Sequence, residues 1–279
     1  MKQDTGKFRK NTKDQFYTEV GVAKSCISIV TSLFPYASEC FWVEPSAGDG
    51  AFLKNISYEK IGMDVDPKGD EILKRDFFTW KPPDNPDKDI IIIGNPPFGR
   101  QSSMAKAFIR RSCEFAKVIA FILPKSFTKP SMYGVFSPKF HLVHSHELEK
   151  NSFVINDAKY DVPCVFQVWE KRKTNRPIMD AKVEPMGFKY VKDVKDVKTD
   201  YDAAFRRVGG LAGMCYKNDG VTKYSHQSHY FLKFDDGVDV DAVVKKINLH
   251  TFPSNTVGPR SLSKTEANTV INEIIFEIS

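Results

Sequence analysis

The chain has 279 residues, of which 41% are hydrophobic and 27% charged, and this composition excludes a disordered, collagenous or coiled-coil protein. Lysine and arginine total 41 against 35 aspartates and glutamates, a net charge of +6 that permits nucleic-acid binding without requiring it. No apolar run reaches the roughly 20 residues that span a bilayer, and the charged N-terminus lacks the apolar core of a secretory signal. The five cysteines are scattered without a CxxC pair, so neither disulfides nor a zinc site is expected. We therefore expect a soluble, intracellular and cytoplasmic protein.

Six short apolar runs predict the strands of a sheet. They cover residues 40–44, 60–64, 89–94, 118–123, 140–148 and 164–170. Residues 104–116 have apolar and basic side chains at helical spacing and predict a helix between two of these strands. Strands that alternate with helices are typical of a mostly parallel α/β sheet. The uniformly apolar run 90–93 predicts a central strand that is covered on both faces.

The composition of the chain changes after Trp169. Residues 171–200 are rich in both basic and acidic side chains and contain two prolines, which is typical of a linker or a solvated edge. Beyond them we predict a glycine-rich turn at 209–213, a strand at 228–234 and two helices, the last with a capping box of Ser263 and Glu266. We therefore predict one domain over residues 1–171 and a smaller α+β region over residues 172–279.

Three acidic residues follow predicted strands in an order typical of a nucleoside site. They are Glu44, Asp64 and Asp76. The turn at 45–50, after which we expect a helix, lacks the third glycine of GxGxxG and the GK[ST] of a P-loop. An acid at this turn would repel a pyrophosphate. A carboxylate at the second strand end typically takes ribose hydroxyls. A lone acid at a strand end is commonplace, but the ordered trio suits a nucleoside with a positive charge and no phosphate. S-adenosylmethionine, with its ammonium, sulfonium and ribose, fits this description.

The strand at 89–94 leads into Gly94-Asn95-Pro96-Pro97-Phe98-Gly99. The exocyclic amino group of adenine is a poor nucleophile because its lone pair is delocalised into the ring. The side-chain oxygen of Asn95 and the carbonyl of Pro96 could accept its two N–H bonds and aim the lone pair at a methyl donor. The two prolines fix the backbone, and Phe98 offers its ring to an extruded base. Such a turn requires no metal ion and no general base.

Together these segments resemble the S-adenosylmethionine-dependent N6-adenine methyltransferases in which the cofactor motif precedes an Asn-Pro-Pro-aromatic motif. The resemblance covers about residues 11–170, and residues 11–18 are similar to the family's N-terminal segment over the cofactor. Family members often have Thr-Pro-Pro there, whereas this chain has Thr18-Glu19-Val20. The family implies a Rossmann-like seven-stranded methyltransferase sheet and a small C-terminal α+β recognition module. The pattern also resembles enzymes encoded by viruses and phages.

The resemblance assigns roles to individual residues. Glu44 would take the amino group of the cofactor, Asp64 its ribose and Asp76 its adenine. The whole cofactor set would be Tyr17, Thr18, Glu44, Pro45, Ala47, Gly48, Gly50, Asp64, Val65, Asp76, Phe77 and Asn95, with Phe77 packed on the adenine ring. The catalytic residues would be Asn95, Pro96, Pro97 and Phe98. Phe98, Arg100 and Phe153 would contact the substrate, with Tyr160 as a second candidate for the aromatic on the far side of the base.

Several segments leave two interpretations open. The basic residues after the catalytic turn are Arg100, Lys106, Arg110 and Arg111, which would meet phosphates or form a solvated helix face. The loop 128–140 would either close over an extruded base or tuck into the core. Arg206-Arg207 and residues 223–229 would contact the target or form structural turns. His226 and His229 lack companion ligands, so a metal site is not expected there.

The sequence therefore predicts methyl transfer from S-adenosylmethionine to adenine N6 in DNA, with base flipping and direct in-line displacement. Adenine in RNA, cytosine N4 and a protein glutamine stay open as other acceptors. A different interpretation is a catalytically silent relative that binds nucleic acid or activates a partner. The sequence leaves open the recognition site, the preferred strand, a homodimer or activating partner, and the biological role.

Overall fold

The computed structural model describes residues 16–82, 87–155, 158–177, 183–192, 194, 200–253 and 260–278. The chain divides into two compact units, residues 1–179 and residues 180–279. No helix within these described residues is long and apolar enough to cross a membrane.

The first unit contains a seven-stranded sheet, a three-stranded sheet and short helices. Its strands, among the described residues, are β1 (Tyr17–Thr18), β2 (Phe41–Glu44), β3 (Lys60–Asp64), β4 (Leu73–Lys74), β5 (Ile90–Gly94), β6 (Val118–Pro124), β7 (Phe140–Glu147), β8 (Phe153–Ile155), β9 (Ala158–Tyr160) and β10 (Cys164–Lys171). Its α-helices are α1 (Val20–Leu33), α2 (Ser103–Cys113) and α3 (Pro130–Tyr133).

The large sheet has the strand order β4-β3-β2-β5-β6-β10-β7. The five strands β4, β3, β2, β5 and β6 are parallel to one another, whereas β10 runs antiparallel to both β6 and β7. The six predicted strands are all present, with their ends within one residue of the prediction. This arrangement confirms the predicted α/β fold class with a Rossmann-like seven-stranded sheet. Because the parallel strands share a direction, the segments after β2, β3, β4 and β5 meet at one edge of the sheet.

Helices between the strands are scarcer than predicted. The helix predicted at 104–116 is present as α2, over Ser103–Cys113. The turn after β2 was expected to open a helix, but it leads only into a 3-10 turn at Leu53–Asn55. Gly48 and Gly50 have φ values of +55° and +84°, and such left-handed residues interrupt a right-handed helix before it can start.

The segment 128–140, which contains the short helix α3, tucks into the core of the first unit. Phe136 is 1% exposed, and its ring stacks on Trp169 with centroids 4.0 Å apart and planes 14° apart. The guanidinium of Arg176 donates to four carbonyl oxygens of this loop, those of Tyr133, Phe136, Ser137 and Phe140, over 2.7–3.1 Å. Of the two interpretations that the sequence left open, the structure thus has the buried loop.

The second unit is an α+β module. Its antiparallel sheet has the order β11-β14-β12-β13, and its elements are β11 (Phe188–Val191), β12 (Ala203–Arg206), β13 (Cys215–Lys217), β14 (His229–Phe234), α4 (Val240–Leu249) and α5 (Lys264–Ile278). Val243 of α4 and Ile271 of α5 pack with Phe205 and Leu232 of the sheet in one core. The predicted capping box is present, because the Ser263 hydroxyl accepts the N–H of Glu266 (3.2 Å) and the Glu266 carboxylate accepts the N–H of Ser263 (2.8 Å).

Replacing Arg176 by lysine should destabilise the protein. A lysine ammonium lacks the planar fork that reaches four carbonyl oxygens, so at least part of this charged hydrogen-bond network is lost, at a cost of roughly 2 kcal/mol or more. Urea unfolding measures the change. The matched control is Arg172→Lys, since Arg172 is exposed and makes only a surface ion pair with Glu170. Equal losses of the free energy of unfolding in the two variants would contradict a stabilising role for the hydrogen bonds of Arg176.

Candidate active site

A cavity of about 280 Å³ lies where the turns after β2, β3, β4 and β5 meet. Eleven of the twelve residues predicted for the cofactor line it: Tyr17, Thr18, Glu44, Pro45, Ala47, Gly48, Asp64, Val65, Asp76, Phe77 and Asn95. Pro97 of the catalytic turn lines it as well, whereas Gly50 lies outside the lining. Of the four predicted catalytic residues, Asn95 and Pro97 therefore lie at the cavity, whereas Pro96 and Phe98 are buried and outside its lining. Binding of a cofactor there stays a prediction.

A hydrogen bond between two turns shapes the cavity. The N–H of Gly48, in the turn after β2, donates to Oδ2 of Asp64 at 2.9 Å, and Asp64 Oδ1 accepts the N–H of Asp66 at 2.8 Å. Gly48 has a φ of +55°, and a Cβ there would lie 3.0 Å from the Tyr17 ring. Glycine is therefore required at position 48 by both its backbone conformation and the close approach of Tyr17.

Glu44 lies at the end of β2 and is 2% exposed. Its Oε2 accepts the N–H of Leu53 at 2.7 Å, and no lysine or arginine of the described part of the chain forms an ion pair with it. Burial is the main cause that raises the pKa of this carboxyl well above its ordinary value, and the negative charges of Asp49 and Asp64 raise it further. Among the described residues, Glu44 is thus a buried acid in the cavity wall with no basic partner. A cationic ligand in the cavity would favour its ionised form and form an ion pair with it.

Apolar side chains that are exposed to solvent also line the cavity. Val65 is 66% exposed, Phe78 38% and Met104 39%, and all three line the cavity. Asp76 Oδ1 accepts the N–H of Phe78 at 2.9 Å, which fixes the turn after β4. Solvent-exposed apolar side chains gathered around one cavity suit a flat aromatic ligand.

Phe77 and Phe78, which are neighbours in the turn after β4, have different environments. Phe77, which was predicted to pack on an adenine, lines the cavity but is 1% exposed, and its ring stacks on Phe108 with centroids 5.4 Å apart and planes 11° apart. Its contact with an adenine stays a prediction. Phe78 is the accessible aromatic here and was not predicted. Which of two adjacent phenylalanines turns outward depends on the turn after β4, and no sequence pattern indicated that geometry.

The catalytic turn places Asn95 at the cavity wall. Its side-chain Nδ2 donates to the main-chain carbonyl of Phe16 at 2.9 Å, and its own carbonyl accepts a hydrogen bond from the Ser46 hydroxyl at 3.3 Å. Among the described residues, no hydrogen bond is made to Asn95 Oδ1. Gly99 ends the turn with a φ of +68°, where a Cβ would lie 2.8 Å from Met104. The amide therefore has one anchored end and one available acceptor.

An aromatic cluster lies beside this amide. The Phe16 ring is stacked on Phe98, with centroids 6.4 Å apart and planes 25° apart, and it also contacts Phe153 at 6.3 Å and Tyr160 at 5.7 Å. Phe153 was predicted to contact the substrate, but it is fully buried and has no surface open to a ligand. Its ring backs Phe16 instead, because Thr18 of β1 pairs with Phe153 of β8.

Phe16 was not predicted from the sequence. The available signal was its place in the segment 11–18, next to Tyr17 and Thr18. Residues 11–15 of that segment lie outside the described residues.

The basic residues after the catalytic turn separate into two groups. Arg111 forms an ion pair with Glu114 and donates to the carbonyl of Trp80, so its guanidinium is held by the protein. Arg100 and Arg110 are exposed. By sequence, residues 1–179 contain 27 lysines and arginines against 21 acids, whereas residues 180–279 contain 14 of each. The whole excess of positive charge therefore belongs to the unit with the cavity.

The predicted contact segments of the second unit have structural roles. Arg207 lies over the Tyr230 ring at 5.2 Å and donates to the carbonyl of Gln227 at 3.3 Å. Asp219 accepts the N–H groups of Val221 and Thr222 and fixes the turn before residues 223–229. These bonds are those of structural turns, one of the two interpretations that the sequence left open.

Comparison with known proteins gives distant matches. Residues 50–172, less than half of the chain, match the EDM2 methyltransferase-like domain, and no curated protein matches the sequence. Among solved structures, the chain is similar to a proposed RNA methyltransferase from Pyrococcus horikoshii, with 20% identity, 58% of this chain and 90% of that chain covered, and a TM-score of 0.44. It is also similar to the methyltransferase subunit of a type I restriction-modification system from Streptococcus thermophilus, with 13% identity, 93% and 57% covered, and a TM-score of 0.42. These identities and scores are too low to carry over a function. Residues 50–172 are thus similar to a methyltransferase-like domain, and they lie in the unit that contains the Rossmann-like sheet.

Replacing Gly48 by alanine should destabilise the protein by about 1–3 kcal/mol, because alanine is strained at a φ of +55° and its Cβ would press on Tyr17. Urea unfolding measures the loss. Gly134→Ala is the control, since Gly134 has an ordinary helical conformation and nothing within 4 Å of the added Cβ. If Gly48→Ala lowered the free energy of unfolding no more than Gly134→Ala does, glycine would not be required at position 48.

Replacing Glu44 by glutamine should stabilise the ligand-free protein, and more so as the pH rises. Below about pH 4 the carboxyl is protonated in both the folded and the unfolded chain, so ionisation favours neither. Folding raises the pKa of Glu44, so above that pH its carboxyl ionises readily only in the unfolded chain. Ionisation of Glu44 therefore favours unfolding as the pH rises. Melting temperatures at pH 5 and pH 8 measure the effect, with exposed Glu59→Gln as control. If the difference in melting temperature between Glu44→Gln and wild type did not grow with pH, burial would not raise the pKa of Glu44.

Proposed function

We propose that the chain is a methyltransferase that uses S-adenosylmethionine to methylate the N6 amino group of adenine in DNA, after the base has left its stack. One observation carries the proposal: the Asn95 amide shares a cavity with five carboxylates. The acids that line the cavity are Glu44, Asp49, Asp64, Asp66 and Asp76, and Arg75 is the basic residue among the described lining. Such a lining favours a cationic ligand over a phosphate.

The residues present fit S-adenosylmethionine. Buried Glu44, which forms no ion pair with a basic residue in the described part of the chain, would pair with the ammonium group of the cofactor. Asp64 would accept the ribose hydroxyls, while its second role of holding Gly48 keeps it in place. Phe78, Val65 and Met104 would enclose the adenine ring, with Asp76 close to its amino group. When bound, the cofactor supplies an electrophilic methyl group on a sulfonium.

The catalytic turn would prepare the nucleophile. Asn95 Oδ1 and the Pro96 carbonyl would accept the two N–H bonds of the amino group, which draws its lone pair out of conjugation with the ring. The nitrogen then attacks the methyl carbon in line with the bond to sulfur. The new C–N bond forms as the C–S bond breaks, sulfur keeps the electron pair, and a proton leaves the nitrogen for solvent afterwards. Phe16, which lines the cavity, would contact the base, and the buried ring of Phe98 stacks on Phe16 from behind.

The charge distribution supports a nucleic-acid substrate over a protein glutamine. Arg100 and Arg110 are exposed directly after the catalytic turn, and residues 1–179 have the net positive charge of the chain. Since residues 180–279 are neutral overall, we assign most phosphate contacts to the first unit and target recognition to shape and hydrogen bonding by the second. Adenine in RNA and cytosine N4 present similar amino groups, and they are the alternative acceptors for the test.

Transfer of labelled methyl groups tests the proposal. Duplex DNA, single-stranded DNA, structured RNA and a protein extract are incubated with the protein and labelled S-adenosylmethionine, and the nucleic acids are digested to nucleosides. We expect label in N6-methyladenine from DNA. Asn95→Ala should lower the turnover by about 100-fold or more, since it removes one of the two acceptors for the amino group.

The control variant is Asn175→Ala, which removes an exposed amide away from the cavity and should leave turnover unchanged. Full turnover by Asn95→Ala would overturn the mechanism. Label in RNA alone would keep the site and change the substrate, and label in no polymer would overturn the proposed function.

A further inference from the structure

The hydrogen bond between Asn95 and Phe16 gives the catalytic amide a fixed direction. Asn95 Nδ2 lies 2.9 Å from the main-chain oxygen of Phe16. A carbonyl oxygen can only accept a hydrogen bond, so the group of Asn95 that faces it must be the NH₂. The amide oxygen of Asn95, on the other branch of the same planar group, then points away from the Phe16 carbonyl.

The carbonyl of Phe16 is itself held firmly. Tyr17 and Thr18, which follow it, pair with Val154 and Phe153 in the three-stranded sheet β1-β8-β9, and the N–H of Glu19 donates to the carbonyl of Ser152 at 3.0 Å. The ring of Phe16 is only 9% exposed and packs among three other aromatic rings. The acceptor therefore stays in place before any substrate arrives.

The direction of the amide decides whether it can act on an amino group. An amino group presents N–H donors, which need an acceptor, and Oδ1 is such an acceptor whereas Nδ2 is another donor. We propose that Phe16 is a positioning residue whose main-chain carbonyl holds the Asn95 amide with Oδ1 toward the acceptor amine. This inference rests on the proposed function, since it concerns the same amide and the same methyl transfer.

The substitution Asn95→Asp separates this role from a merely structural one. An ionised carboxylate has acceptors on both sides, so one of its oxygens would be repelled by the Phe16 carbonyl. The protonated carboxyl restores the pattern of the amide, with a donor toward Phe16 and an acceptor toward the amine. If no donor toward Phe16 were needed, the ionised form would serve as well or better, because a charged acceptor binds N–H more strongly.

The first experiment is the pH dependence of kcat for the wild type, Asn95→Asp and Asn95→Ala between pH 5 and pH 8. We expect the ratio of Asn95→Asp to wild-type activity to rise as the pH falls, by up to roughly tenfold per pH unit, because one protonation creates the active form. The ratio for Asn95→Ala should stay flat. A ratio for Asn95→Asp that is flat or rises with pH would overturn the role of Phe16.

A second experiment requires no variant of Asn95 to be active. In protein labelled with ¹⁵N-asparagine, the side-chain NH₂ of Asn95, assigned by its loss in Asn95→Ala, should exchange with solvent more slowly than that of exposed Asn175. Phe16→Ala, which removes the ring packing that holds the carbonyl, should accelerate the exchange of Asn95. Exchange of Asn95 as fast as that of Asn175 in the wild type would overturn the inference. A wild type with slow exchange but no methyl transfer would instead count against the proposed function alone.

Discussion

The candidate site depends on one hydrogen bond between two turns, from the N–H of Gly48 to the carboxylate of Asp64. It joins the segment after β2 to the segment after β3, and the two segments together form one side of the cavity. The bond also sets the position of the carboxylate that we assign to the ribose. The same side chain thus shapes the site and lines it, which explains why a glycine with left-handed backbone is required opposite it.

A second constraint is electrostatic. Five carboxylates converge on a cavity of about 280 Å³, and one of them, Glu44, is almost completely buried. Such an arrangement is unfavourable in the empty protein, because burial without a positive partner penalises the charged form. The positive charge of a cationic ligand would offset the cost of ionising buried Glu44. The unfavourable electrostatics of the empty site would then be relieved on binding, which increases the affinity for a cation. Stored strain of this kind is typical of functional sites.

The sheet was predictable from the sequence because its strands are buried on both faces and hence uniformly apolar, as in β5 and β6. The acids at the strand ends were predictable for a related reason, since an acid directly after an apolar run has a defined place at the sheet edge. β4 was missed because it has only two residues, too few for a hydrophobic pattern.

Other features could not be predicted because they depend on contacts between distant parts of the chain. Arg176 resembled a solvated linker charge, and its role follows from a loop more than thirty residues earlier. Phe16 acts through Asn95, which is 79 residues away in sequence. Local periodicity carries no information about such contacts, whereas burial and hydrogen bonding in the folded chain do.

The most direct test of the central claim is a calorimetric titration of the protein with S-adenosylmethionine and, separately, with ATP. The two ligands share adenosine and differ in the sign of the charge that they bring to the carboxylates. S-adenosylmethionine should bind, and Glu44→Gln should weaken its binding, while ATP should not bind at the same concentrations. Binding of ATP in this cavity, or no binding of S-adenosylmethionine, would contradict the assignment of the site to a cationic nucleoside.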